Sequence, residues 1–255
     1  MKISIVTVVY NNLLIGEALD SILSQRLDSG DELELVVIDG GSTDGTLEVL
    51  ESYRTRLGVY VSERDDGIYD GMNKGLERAT GDIIGTLNSD DLYQDDRVLA
   101  TVIEAFRESN AQVVYGDLVY VRKEKPTEVV RYWKSRPYKE GLFEQGWMPP
   151  HPTFFVRSAV YQTHGRFDLG YRLASDFELT MRFLARARVP FEYIPKVFVR
   201  MRLGGATNNS LRNIIKANLE SQRACRKNGL KIPVWFIFRK VLSKVPQFFM
   251  KLPNG

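Results

Sequence analysis

Across 255 residues the sequence has one cysteine, Cys225, and two histidines, His151 and His164. A single thiol excludes a disulfide framework and a thiolate zinc cluster, and so few imidazoles argue against a zinc site built from histidine. No apolar run approaches the roughly 20 residues that a spanning helix needs. The apolar start, Met1 to Tyr10, runs into Asn11-Asn12 with no small-residue cleavage site. It reads as a first strand rather than a signal peptide, and the chain is expected in the cytoplasm. Neither G-x-G-x-x-G nor G-x-x-x-x-G-K followed by Ser or Thr occurs, so a dinucleotide site or P-loop would be unorthodox. Acidic residues are missing from the last stretch: Ser221 to Gly255 has eight Lys or Arg and no Asp or Glu.

What is present is globular. Hydrophobic residues make up 44% and charged residues 26%, which is average for a folded domain and excludes bulk disorder. The length suits one large domain, or one with an appendage, and allows a core without metal or disulfide staples. The net charge of +3 divides into +8 on the last 35 residues and −5 on the rest. That asymmetry points to a basic appendage for an anionic surface, and the body has no reason to bind nucleic acid.

The first hundred residues alternate β-branched runs with amphipathic ones. Strands are predicted at Ile3–Val9, Leu33–Ile38, Val59–Ser62, Asp82–Leu87 and Gln112–Tyr115. Helices are predicted at Leu14–Gln25, Asp44–Arg54, Tyr69–Ala79 and Asp95–Glu108. This is an α/β pattern with a mostly parallel sheet. After Asp117 the alternation breaks. A hairpin over Leu118–Trp133 and a loop over Lys134–Pro150 lead to a strand at Pro152–Val156. A helix over Ser175–Arg188, a strand over Phe191–Leu203 and a helix over Asn208–Lys227 follow. The expected division is a catalytic domain over 1–210 and a helical basic tail over 211–255. Within the domain, 1–116 and 117–210 form two halves, the second completing a site founded by the first.

Carboxylates sit where strands end: Asp39 after the second strand, Asn88-Ser89-Asp90-Asp91 after the fourth. Open α/β sheets bind ligands beyond those ends. Asp39 and Asp90 could simply cap the next helix. Adjacent carboxylates also repel, however, and a divalent cation relieves that repulsion.

At this point the motifs resemble a known family. Ser4–Asn12, Val37-Ile38-Asp39-Gly40-Gly41-Ser42-Thr43-Asp44-Gly45-Thr46 and Leu87–Asp91 are similar to family 2 glycosyltransferases of the GT-A fold. Ser62–Gly75 resembles the branch that builds bacterial O-antigen and exopolysaccharide, and His151–Phe155, Ala174–Leu179 and Arg202–Asn208 extend the likeness. Ser89 stands where the first Asp of the D-x-D element would be, and Ser175 replaces a Glu that often precedes the base.

The resemblance implies an inverting sugar transfer from a nucleotide sugar, UDP-linked in preference to GDP- or dTDP-linked, with Mg2+ or Mn2+. The implied acceptor is a lipid-linked saccharide met at the inner face of the cytoplasmic membrane. Thr7, Tyr10 and Ser89 would border the nucleotide, Asp39 the base or ribose, Asp90 the ribose, and Asp91 would hold the metal. Asp176 would deprotonate the acceptor hydroxyl, with His151 near the acceptor. Plainer roles compete. Asp176 suits a helix N-cap, His151 a structural histidine, and Asp70, Asn73 and Lys74 a solvated helix face instead of donor contacts. Arg200 and Arg202 suit either a cationic flap over the diphosphate or ordinary surface charge, and Trp147 either stacks on a sugar or fills core.

Two other functions fit an α/β sheet. A sugar-1-phosphate nucleotidylyltransferase would need a Gly-rich loop, which is absent between Thr7 and Gln25. A non-catalytic membrane module would rely on the tail alone. There Lys231–Leu252, ended or kinked at Pro246, reads either as an amphipathic basic helix for the bilayer interface or as a helix docked on the body with its apolar stripe hidden.

Overall fold

The computed structural model describes residues 1–204, 211–242 and 247. Strand β1 (Lys2–Val9) is buried on both faces, as the β-branched run requires, and pairs in parallel with β2 (Glu32–Asp39) and β4 (Ile83–Thr86). Strand β3 (Val59–Ser62) adds in parallel to β2. Helices α1 (Ile15–Leu23), α2 (Thr46–Ser52) and α3 (Ile68–Arg78) make the crossovers. Two glycines let α3 lie close on β1: a Cβ on Gly75 would stand 2.3 Å from Val6 Cγ1, and one on Gly71 2.6 Å from Val8 Cγ1.

The sheet does not stay parallel. Strand β8 (Phe154–Arg157) runs antiparallel to β4, and β6 (Val113–Val121) antiparallel to β8. β9 (Phe191–Arg202) then pairs in parallel with β6. A two-residue β5 (Leu92–Tyr93) edges β9, and β7 (Val129–Trp133) closes a hairpin on β6. The parallel expectation therefore holds for β1–β4 and the β6–β9 pair, while β8 reverses direction between them. Sequence reading missed β5, too short to show a period, and α5 (Ser158–His164), two turns beginning directly after β8. Helix α4 (Val98–Glu108) covers the face opposite α3, with Leu99, Val102, Ile103 and Phe106 buried. Helix α6 (Ser175–Met181) continues as π-helix over Arg182–Arg186, and α7 spans Leu211–Lys227.

The tail docks on the body through α8 (Phe236–Leu242). Phe236 is fully buried and its ring lies 6.4 Å from that of Phe177, while Lys240 Nζ donates to Ser221 Oγ. Of the two readings of the tail, docking on the body holds for Phe236. Val234, Trp235 and Phe238 nonetheless point outward. Pro246 and the stretch 248–255 lie outside the described residues, as do 205–210 and with them the expected domain boundary. No described helix is long and apolar enough to cross a membrane.

The lower edge of the sheet is closed by a buried carboxylate. Glu34 on β2 accepts from Lys2 Nζ (2.8 Å), Ser4 Oγ (2.5 Å), Thr80 Oγ1 (2.6 Å) and Thr80 N (2.7 Å). Burial pushes its pKa up, but the hydrogen bonds from Lys2, Ser4 and Thr80 outweigh that and lower it to about 2, against 4.5 ordinarily. A carboxyl with a depressed folded pKa adds stability above its unfolded value and loses it as pH falls through the folded one. Urea unfolding measured between pH 7 and pH 2 is therefore expected to show stability dropping from about pH 4.5 to about pH 2. Glu34→Gln should be less stable at pH 7 and have a shallower slope across that window.

Candidate active site

The upper ends of β1, β4, β6 and β9 open on a cavity of about 1220 Å³, room for two ligands rather than one. One wall is the loop after β4. Asn12 Nδ2 donates to Ser89 Oγ (3.0 Å), which ties that loop to the one after β1. Tyr10, exposed at 62%, stands on the rim, and Ser89 and Asp90 line the wall.

Asp91 does not face the cavity. It is 1% exposed; Asn88 Nδ2 donates to its Oδ2 (2.7 Å) and Arg202 N to its Oδ1 (3.2 Å). Burial, then the charge of Asp90, raise its pKa to about 8. Burial also raises Asp90, against the opposing charges of Arg202 and Lys123. Asp91, expected to hold the metal, is turned away from the cavity: Asp90 is the carboxylate on the wall, and Asp91 braces the turn beneath it. Among the described residues no three His, Cys, Asp or Glu side chains gather as a complete metal cage. One accessible carboxylate beside a second, buried one still fits a divalent ion whose remaining ligands come from substrate phosphate and water, the usual pattern for Mg2+.

Arg202 is placed differently from a flap residue. Its side chain is 1% exposed; Nη1 donates to Asp90 O (2.8 Å), Nε to Lys123 O (3.1 Å), and Nη2 pairs with Glu17. The guanidinium thus supports the Asp90 turn from behind instead of reaching a donor. Arg200, bonded to Gln94 Oε1, is likewise held at the sheet edge.

Five candidates lie off the cavity. Thr7 is fully buried, with Oγ1 unpartnered. Asp39 is also fully buried and accepts from Gly41 N (3.1 Å), Ser42 N (3.1 Å) and Ser62 Oγ (2.6 Å), so it shapes the turn after β2 rather than meeting a base. Asp70 pairs with Lys74, which also pairs with Glu63 and donates to Arg64 O. Asn73 clasps Phe167 through both its backbone N and O. The donor-contact expectation for Asp70, Asn73 and Lys74 is therefore corrected to a bracing role.

Across the cavity stands Asp176, at the second position of α6, where it makes no capping bond. Tyr69 Oη donates to its Oδ1 (3.1 Å), and His151 Nδ1 lies 3.2 Å from its Oδ2. Burial and the Asp176 charge hold the Tyr69 hydroxyl well above its ordinary pKa, so it stays a donor. Burial lowers the His151 pKa, with Asp176 pulling the other way. The His151–Thr153 turn is fastened to β6 by Thr153 Oγ1, which donates to Gly116 O (3.0 Å). Sequence reading missed Tyr69, whose only signal was its place opening a helix after Gly67. It also missed the cations Lys123, Lys134, Arg136, Arg172 and Arg239, which share the cavity wall from separate segments.

A curled α/β sheet with carboxylates and cations around a strand-end cavity is the GT-A glycosyltransferase fold. Residues 4–162 match the family described as Glycosyl transferase family 2, and the chain belongs to that family. It is 28% identical over 232 residues to a Mycobacterium bovis protein named PGL/p-HBAD biosynthesis glycosyltransferase, covering 89% of this chain and 86% of that one. It is 30% identical over 193 residues to the putative glycosyltransferase EpsE of Bacillus subtilis, covering 71% and 66%. Among solved structures, S. aureus TarS with UDP-GlcNAc superposes at a TM-score of 0.67 with 20% identity, covering 91% of this chain and 68% of that one. The mannosyltransferase PcManGT of Pyrobaculum calidifontis, with GDP-Man and Mn2+, gives 0.63 and 20%, covering 96% and 69%.

Replacing Arg202 separates its two possible duties. Arg202→Ala is expected to lower stability by about 2–4 kcal/mol in urea unfolding, because Asp90 O, Lys123 O and Glu17 all lose the buried guanidinium that joins them. A variant of unchanged stability that loses only donor affinity would restore the flap assignment.

Proposed function

We propose that this enzyme transfers a sugar, with inversion, from a nucleotide-sugar donor to a hydroxyl of a lipid-linked glycan in bacterial surface polysaccharide synthesis. The observation that carries this reading is the separation of two carboxylates. Asp90 and Asp176 are the only ones among the described residues that line the cavity, and they belong to different walls. Asp90 suits the diphosphate end. Asp176, bonded to Tyr69 and beside His151, suits deprotonation of the attacking hydroxyl. One such proton-handling centre without a covalent partner favours single displacement and inversion. The cations along the wall suit a substrate that bears phosphate. A UDP-sugar is the preferred donor, as the UDP-GlcNAc complex of TarS supports, and the relative named for PGL/p-HBAD biosynthesis supports a glycan product.

A Mg2+ or Mn2+ ion would be held by Asp90 and would stabilise charge on the departing nucleoside diphosphate. Asp91, Asn88 and Arg202 keep the Asp90 turn in place, and Tyr69 and His151 orient Asp176. The division of the chain into a donor half over 1–116, an acceptor half over 117–210 and a tail is part of the same reading.

Three measurements test it. Asp176→Asn is expected to lower kcat about 10²–10⁴-fold, the usual contribution of positioned proton transfer, with donor affinity nearly unchanged. Calorimetric titration of UDP with Mn2+ should lose its metal dependence in Asp90→Asn, whereas Asp91→Asn should weaken it by about 10–100-fold, as for a group that supports a ligand. The opposite ranking would return the metal to Asp91. Peripheral membrane association at the cytoplasmic face is supported by the outward Val234, Trp235 and Phe238 beside Lys231 and Arg239. Replacing those three apolar residues by Glu should release the protein from anionic liposomes at low salt, and wild-type protein that ignores such liposomes would remove this part. Substitution serves better than truncation here, because Phe236 belongs to the core.

A further inference from the structure

The cavity holds more positive charge than sugar transfer itself uses. Among the described residues eight Lys or Arg side chains line it, against two carboxylates, Asp90 and Asp176. Lys123 belongs to the Asp90 end, because Arg202 bonds both Lys123 O (3.1 Å) and Asp90 O (2.8 Å) and so ties their two loops together. Four others, Lys134, Arg136, Arg172 and Arg239, are exposed on the wall, and none makes an ion pair or side-chain hydrogen bond with a described residue. Between the first two, Ser135 lines the same cavity, is only 5% exposed and leaves its Oγ without a partner among the described residues. We propose that these residues form a second anion subsite, and that it takes the phosphate joining the acceptor glycan to its lipid. The subsite rests on the glycosyl-transfer reading and gives the acceptor its chemical class.

Each segment is held on the Asp176 wall by its own contacts. Ser135 N donates to Asp117 Oδ1 (2.7 Å), and Arg136 O accepts from Tyr115 Oη (3.0 Å), so two successive residues are pinned to β6. Ser135 is thereby kept inside, while Lys134 and Arg136 on either side of it stay in the open. The Tyr115 ring packs on Phe154 and Trp147, at 6.1 and 6.3 Å between centres, which sets this segment beside the His151 turn. Arg172 lies four residues before Asp176. Arg239 is on α8 next to Lys240, whose Nζ lies 4.6 Å from the centre of the Phe177 ring, and Phe177 directly follows Asp176. The four cations therefore surround the wall that presents Asp176 to the attacking hydroxyl.

The donor set suits phosphate. Guanidinium and ammonium groups supply charge-assisted bonds to its oxygens, and a serine hydroxyl completes them. A buried hydroxyl without a partner is a cost that a ligand oxygen removes. The donor diphosphate belongs to the Asp90 wall, which has Lys123 as its own exposed cation, so the four cations are left for a different anion. The tail shows where that anion comes from. Val234, Trp235 and Phe238 are exposed on the same segment that brings Arg239 to the wall. A phosphate carried at a bilayer surface reaches Arg239 from that side, with its hydrocarbon chain against the apolar residues. A free sugar or a neutral glycan gives these charges nothing to pair with.

The test titrates the full chain by calorimetry, with UDP and Mn2+ present in excess so that the donor end is occupied. The probes are farnesyl phosphate, its neutral alcohol farnesol, and dioctanoyl phosphatidylglycerol, each kept below its micelle concentration. Farnesyl phosphate should bind and farnesol should not. Lys134→Gln/Arg136→Gln should weaken farnesyl phosphate by about 10–100-fold, the usual loss for charge-assisted hydrogen bonds, and keep the wild-type affinity for UDP. Arg239→Gln should act in the same direction. Ser135→Ala should also weaken farnesyl phosphate yet leave stability in urea no lower than wild type, because the hydroxyl it removes holds nothing in the protein. Equal binding of farnesyl phosphate and farnesol, or a Lys134→Gln/Arg136→Gln variant that loses UDP affinity instead, overturns the subsite and leaves sugar transfer standing. Dioctanoyl phosphatidylglycerol that binds as tightly as farnesyl phosphate and displaces it makes this a contact for bulk lipid headgroups, and overturns the acceptor assignment. A protein that binds farnesyl phosphate through these cations but ignores UDP supports the subsite and counts against the donor reading.

Discussion

Strand β8 runs against β4, and the layout of the site depends on that reversal. Ile83 faces Arg157 and Ile84 faces Val156 in antiparallel register, so the start of β8 arrives at the edge where β4 ends. The turn before it, His151–Thr153, is thereby delivered to the rim on which Ser89 and Asp90 stand. A second reversal returns β6 to the direction of β4, and β9 follows in parallel. The ends of β1, β4, β6 and β9 then open on one side. Had β8 run parallel, His151 would lie at the opposite edge of the sheet, and the cavity would lack the wall it forms.

Charge at the open edge is arranged in layers. Asp90 is at the surface and Asp91 behind it, with the Arg202 guanidinium behind both, bonded to backbone carbonyls of two loops. Burying a guanidinium is costly unless its donors are used, and here they join β9 to the loop after β4 and to the one after β6. On the opposite wall, Asp176 is held by Tyr69 from the first half of the chain and lies beside His151 from the second. Neither half contains the whole cluster.

Much of the fold was legible because burial on both faces demands near-continuous β-branched runs and because crossover helices carry a clear apolar stripe. Val59–Ser62 is the strand the sequence predicts, and most other elements of the first hundred residues differ by one to three residues at their ends. What escaped was short or directional. β5 has two residues, and nothing in Phe154-Phe155-Val156-Arg157 says which way the strand runs. The acidic and polar candidates divided for a related reason. A strand-end Asp looks the same in sequence whether its carboxylate faces a cavity, as Asp90 does, or turns inward to cap its own loop, as Asp39 does with Gly41, Ser42 and Ser62.

By itself the sequence determined the family, the alternating first half, the strand-end placement of the chemistry, and the charge asymmetry of the tail. Local periodicity and turn chemistry set these, and both are written in neighbouring residues. Only the tertiary structure decided that Asp91 is a brace, that Arg202 points inward, that Phe236 is core, and that Tyr69, His151 and Asp176 meet. Those contacts join residues tens of positions or more apart. Strand direction and the packing of α3 and α6 across the sheet decide them, and no local pattern encodes either.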